Sequence, residues 1–164
     1  MDSNNSGSYT EIASDVISTS YTQPGLTEGT SYQFRVRARN SIGLSSYSPA
    51  FTILAAISPD EPTSFVRNES LTTKTQVAFS WSAPSDDGGS TIIDYSIEMD
   101  DNNSGSFTEI ATGVTSTSYT KTGLNEGQSY KFRLRSRNTI GFSTYSSPIF
   151  TIKAATNPDV PTSF

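Results

Sequence analysis

Ser129-Tyr130-Lys131-Phe132-Arg133-Leu134-Arg135-Ser136-Arg137-Asn138 alternates side-chain character residue by residue. Tyr130, Phe132 and Leu134 fall on one face, and Lys131, Arg133, Arg135 and Arg137 on the other, the period of a strand with one buried and one wet side. Upstream, Gly123-Leu124-Asn125-Glu126-Gly127 supplies turn formers, and Tyr130 begins the strand that follows. A tyrosine there buries its ring and uses its hydroxyl to tie back to the preceding backbone.

Two similar strands lie further upstream. Val77, Phe79 and Trp81 alternate with Gln76, Ala78, Ser80 and Ser82, and Ile93, Tyr95, Ile97 and Met99 alternate with Asp94, Ser96, Glu98 and Asp100. The odd-numbered positions are the expected core face, which puts the only tryptophan, Trp81, inside. Turn-forming runs such as Ala83 to Thr91 and Asp101 to Ser106 separate the segments, with a turn every eight to twelve residues or so, the cadence of a β-sandwich.

The pattern occurs twice. Pairing Met1 with Met99 aligns 1–49 with 99–147 without a gap, and 33 of the 49 pairs are identical. SPDEPTSF ending at Phe65 then matches NPDVPTSF ending at Phe164, so the period is 98 to 99 residues, the size of one small domain. Pro59, Pro62, Pro158 and Pro161 mark the joints and read as stiffened connectors. Residues 1–57 are then the C-terminal part of one repeat, 58–156 a complete domain, and 157–164 the first strand of a third. Residues 1–57 by themselves hold no counterpart of the Trp81 strand and should leave Phe34 and Val36 uncovered.

The run WSAPSDDGGSTIIDY from Trp81, followed by TSYTKTGLNEGQSYKFRLRSRNTIG ending at Gly141, resembles a fibronectin type III domain over essentially the whole chain. The resemblance implies an all-β fold of tandem seven-stranded Greek-key sandwiches of the immunoglobulin-like class. It makes Trp81 the core tryptophan of strand B, Tyr95 the core tyrosine of strand C, and Leu124 with Tyr130 the corner into strand F. In the first copy Leu26 and Tyr32 form the same corner, and the partial repeat runs from strand C′ to strand G.

Composition narrows function. The chain has 164 residues, a net charge of −5, and no cysteine or histidine. Thiolate and Ser-His-Asp catalysis and the common zinc ligands are thereby absent, and the charge repels polyanions, so no nucleic-acid partner is expected. No apolar run is long enough for a membrane-spanning helix, and no cofactor is implied.

Four features invite a site. Arg35, Arg37 and Arg39, and Arg133, Arg135 and Arg137 in the second copy, form a cationic ladder that could grip a glycan or an acidic partner; Glu98 and Asp100 on the adjacent strand would instead pair with it. Asp2 to Gly7 and Asp100 to Gly105 match half a calcium loop, but Ala13 and Ala111 stand where the bidentate glutamate belongs, so a tight hairpin is expected. Asp86 and Asp87 are chain neighbours and do not form a facing pair for glycoside cleavage. Asn4, Asn68 and Asn102 head Asn-x-Ser sequons. The chain therefore reads as a non-catalytic structural or adhesive array, secreted or at the cell surface, whose partners are neighbouring similar domains and glycans. Other readings are a ligand-binding adhesion or receptor module and a spacer attached to a secreted enzyme.

Overall fold

A computed structural model describes residues 1–3, 6–101 and 104–155. Asn4, Asn102 and the strand expected over 157–164 lie outside the described residues. The chain divides into two compact units, Met1–Ile57 and Ser58–Phe164. Unit 1 contains β1 (Ser31–Phe34) and β2 (Phe51–Leu54); unit 2 contains β3 (Thr63–Arg67), β4 (Gln76–Ser82), β5 (Asp94–Asp100), β6 (Thr108–Val114), β7 (Ser118–Thr122), β8 (Ser129–Arg137) and β9 (Phe150–Lys153).

Unit 2 is a sandwich of two antiparallel sheets, β3-β4-β7 and β6-β5-β8-β9. The expected alternation sets its core. Val77, Phe79 and Trp81 from β4 meet Tyr95, Ile97 and Met99 from β5 and Tyr130, Phe132 and Leu134 from β8. Phe79 sits at the centre, its ring 4.8 Å from Phe132, 5.5 Å from Phe150 and 6.0 Å from Trp81, while Trp81 meets Tyr95 edge-on at 5.3 Å. Such tilted and edge-on contacts add to area burial because ring edges and faces carry opposite partial charge.

The corner forms in both units. Tyr130 Oη accepts the Asn125 backbone N–H at 2.8 Å, and Tyr32 Oη accepts that of Thr27 at 2.8 Å. Leu124 is buried beneath the corner, whereas Leu26 is half-buried. We expect Tyr130→Phe to lower the unfolding free energy by about 1 kcal/mol, read as a shifted urea midpoint at unchanged slope.

Strand β5 departs from simple alternation. Asp94, Ser96 and Asp100, expected on the wet face, are buried, and Ile93, expected inside, is exposed and precedes the strand. The reason is position. β5 lies between β6 and β8, whose long side chains close over its outer face, so both faces of this strand are covered. Asp100 also has a local role, accepting the backbone N–H groups of Ser104 at 3.2 Å and Gly105 at 2.9 Å to seal the hairpin to β6. Gly105 takes φ +82°, a left-handed conformation that side-chain-bearing residues adopt at a cost.

The prolines also behave differently from a connector. Pro59 and Pro62 are buried within unit 2. Between them the Asp60 N–H donates to the Asp86 carbonyl at 3.0 Å, and the Ser136 hydroxyl donates to the Asp60 carbonyl at 2.6 Å. SPDEP is therefore the first leg of the sandwich, pinned to the β4–β5 loop and to β8.

Unit 1 carries the repeat counterparts of β8 and β9. β1 pairs β2, Phe34 stacks on Phe51 at 5.8 Å, and an isolated bridge joins Asp2 to Gln33. Tyr32 is buried, Phe34 half-buried, and Val36 66% exposed, against 0% for its repeat counterpart Leu134.

Candidate interaction face on the outer sheet

The outward side chains of β8 are held by β5, β6 and the segment that leads into β9. Register places Arg137 opposite Asp94, Arg135 opposite Ser96, and Arg133 opposite Glu98. Arg137 Nε donates to Asp94 Oδ1 at 2.9 Å and its Nη2 pairs with Oδ2, a bidentate fork. That pairing holds the Arg137 guanidinium above its ordinary pKa. Arg133 Nε donates to Glu98 Oε2 at 2.7 Å. Arg135 approaches Glu109 Oε2 at only 3.9 Å, and the same oxygen accepts the Ser96 hydroxyl at 2.9 Å.

Aromatic rings complete the arrangement. The Arg133 guanidinium lies 4.2 Å from the Phe107 ring centroid and 4.0 Å from that of Tyr145, and Arg135 lies 4.1 Å from Phe142. Unit 1 repeats the scheme: Arg35 sits 4.0 Å from Tyr9 and 4.1 Å from Tyr47, Arg37 pairs Glu11 at 3.2 Å, and Arg39 pairs Asp15. Each cation–π contact is worth roughly 0.5–1 kcal/mol at an exposed site. The ladder is thus a zipper of cations, carboxylates and rings, with its charge engaged inside each unit. The aromatic members, Phe107, Phe142 and Tyr145, lie outside the ladder strands, where period-two alternation does not reach; the available signal was the recurrence of Phe107 and Tyr145 as Tyr9 and Tyr47, since Phe142 is replaced by Leu44 in the first copy.

Tyr145 donates its hydroxyl to Glu98 Oε1. Burial first, and then the Glu98 carboxylate, push its phenol above the usual tyrosine value, while Arg135 and Arg133 pull it down. The folded pKa is raised, so Tyr145 contributes stability that is fully present below about pH 10 and is lost as pH rises through the folded value. We expect an ultraviolet tyrosine titration to show a late-ionising phenol that is missing in Tyr145→Phe.

The other sequence candidates form turns. Asp86 and Asp87 accept the N–H groups of Gly88 at 2.9 Å and Gly89 at 3.0 Å, so their carboxylates cap the β4–β5 loop and do not face each other. Asp2 accepts the Gly7 N–H at 2.8 Å, as Asp100 does that of Gly105. Among the described residues no group of three or more Asp and Glu could hold a metal ion. Asn68 is exposed on a turn, its Oδ1 accepting the Ser70 hydroxyl at 2.8 Å.

Polar residues that alternation passed over close the far end of the sheet. Ser143 and Ser146 accept the N–H groups of Ser136 at 3.0 Å and Leu134 at 3.1 Å, continuing the β8 ladder where β9 has not yet begun. Ser45 and Ser48 do the same for Ala38 and Val36. Asn138 and Asn40 fold identical turns through N–H groups two and three residues on. Asn138 is buried because its amide also donates to the Asp87 carbonyl at 2.8 Å, whereas Asn40 is exposed.

The Greek-key sandwich, tyrosine corner and doubled outer face agree with comparison to known families, in which the fibronectin type III domain model matches residues 2–53 and 60–152. The chain belongs to the fibronectin type III family. This fibronectin type III chain is 32% identical to chitinase A1 of Niallia circulans over 91% of its own length and 21% of that protein's. To the M-protein of striated muscle from Gallus gallus it is 33% identical, over 82% of this chain and 10% of the relative. It therefore spans about a fifth or less of either protein. A crystal structure of consecutive titin domains superposes with a TM-score of 0.61 at 25% identity, covering 80% of this chain and 43% of the other. Fibronectin type III domains are a non-catalytic module type, and the outer face is built from intramolecular ion pairs and ring contacts. Among the described residues no helix is long and apolar enough to cross a membrane.

Proposed function

We propose that this chain is a segment of a structural or adhesive array, a stalk or fibre of near-identical fibronectin type III units outside the cell or at its surface. The observation that carries it is the doubled outer face: Arg133, Arg135 and Arg137 are neutralised by partners inside unit 2, and in unit 1 Arg35 and Arg37 lie on the repeat-equivalent rings Tyr9 and Tyr47 while Arg37 and Arg39 pair with Glu11 and Asp15. A specialised ligand site would normally distinguish one copy from the other, whereas here the loop turns at Asn40 and Asn138 are built alike. Uniform units suit an element that transmits load or sets spacing, and neighbouring domains of the same kind are its partners. Three Asn-x-Ser sequons, with Asn68 exposed, support placement on a secretory route.

The test is single-molecule extension of the natural protein. Successive unfolding events should each release about 330 Å of chain, from a 98-residue period at roughly 3.4 Å per residue. Irregular increments, or a single one, would remove the array reading. A spacer joined to a carbohydrate-active enzyme is the second reading, favoured by the similarity to chitinase A1. Chitin hydrolysis by the intact natural protein, unaffected when the fibronectin type III segment is deleted, would establish it.

A further inference from the structure

Asn68 follows β3 directly, and its backbone N–H donates to the Ala78 carbonyl at 2.8 Å, which carries the β3–β4 ladder one residue beyond Arg67. In its side chain, Oδ1 accepts the Ser70 hydroxyl at 2.8 Å and the Leu71 N–H at 3.2 Å. A backbone N–H can only donate, so the turn fixes the amide oxygen inward and leaves the nitrogen toward solvent. Among the described residues no group accepts from Asn68 Nδ2. Asn138 is the contrary case, its Nδ2 engaged by the Asp87 carbonyl at 2.8 Å and its side chain buried.

We propose that Asn68 is a glycosylation site, carrying an N-linked oligosaccharide whose first sugar lies over Val66. Two independent observations meet there. The first is the acceptor: Asn68, Glu69 and Ser70 form an Asn-x-Ser sequon, all three are exposed, and the nitrogen that reacts is the one the turn leaves unused. The second is an apolar seat. Val66 is 59% exposed and, two residues from Asn68, projects to the same side of the strand. The C–H face of a sugar ring removes from water the apolar surface that the fold leaves wet at Val66. β3 is also the edge of its sheet, so a bulky hydrophilic group at its end obstructs pairing with another chain.

The sugar donor is a lipid-linked oligosaccharide diphosphate, supplied with its transferase by the secretory route, and the inference rests on the reading that the chain lies outside the cell or at its surface. The bond from Nδ2 to the anomeric carbon forms as the bond from that carbon to the phosphate oxygen breaks. The lipid diphosphate leaves with the bonding pair, and one amide proton passes to a base of the transferase. One N–H remains and Oδ1 is untouched, so the turn to Ser70 and Leu71 survives the modification.

The test follows tryptic peptide 68–74, bounded by Arg67 and Lys74, in the natural protein and in the whole chain secreted behind a leader from cultured eukaryotic cells. Both are expected to carry N-acetylhexosamine on this peptide, and release by peptide N-glycosidase should leave aspartate at position 68. Ser70→Ala should abolish the modification and Ser70→Thr should retain it, with circular dichroism unchanged in both because the position is exposed. Releasing the glycan should lower the urea midpoint of the secreted chain, and lower it less in Val66→Thr; the charge left by release is common to both. An unmodified peptide from the secreted chain overturns the site. A modified secreted chain beside an unmodified natural protein also overturns the proposal, there through the secretory placement and not through the acceptor. Equal midpoint shifts in the parent and Val66→Thr, or no shift, overturn the seat on Val66.

Discussion

Trp81→Ala is expected to lower the unfolding free energy of unit 2 by roughly 3–5 kcal/mol, the range for truncating a large buried aromatic. Trp81 is 5% exposed, and its ring bridges the sheets between Phe79 and Tyr95. Alanine removes the contact area and leaves a void that neither neighbour can fill without giving up its own ring contacts. Native domains are stable by roughly 5–15 kcal/mol, so the variant sits near the edge of folding at ordinary temperature. Urea titration followed by far-ultraviolet circular dichroism would read the loss, because the only tryptophan has gone. A fall below 1 kcal/mol would mean that the sheets are held mainly by Phe79 and its ring contacts.

The second large effect concerns the outer face. Glu98→Ala is expected to cost about 2–3 kcal/mol, because one carboxylate serves both Arg133 and the Tyr145 hydroxyl, and its side chain is only 12% exposed. The cost stays under that of breaking a fully buried pair, since Arg133 retains water access and its two aromatic neighbours. Glu126→Ala is the control. Its pair with Lys74 at 3.1 Å joins side chains that are 63% and 59% exposed, so the loss should be below about 1 kcal/mol and should shrink with added salt. If the two variants cost the same, the face would be ordinary surface and not a locked zipper.

Much of the architecture was written in local pattern. Period-two alternation in 76–82 and 129–137, the leucine, turn and tyrosine order at Leu124 and Tyr130, and the repetition of 1–49 at 99–147 sufficed for strands, core side and family. Each is a statement about neighbours in the chain, and neighbours in the chain determine which way successive side chains point. The hairpin reading of Asp2 and Asp100 was legible for the same reason, as turn chemistry is local.

What the tertiary structure alone decided was which polar groups are covered, and by what. Asp94, Ser96 and Asp100 are buried because β5 is flanked on both sides, and Pro59 and Pro62 are buried because SPDEP docks on a loop and a strand distant in sequence. Asn40 and Asn138 make the contrast within one molecule. They are the same residue in the same turn, and only the second meets the Asp87 carbonyl and loses contact with water. Burial is a property of what packs over a residue, and the chain segments that do so are chosen by sheet order and sandwich closure, which no local period encodes.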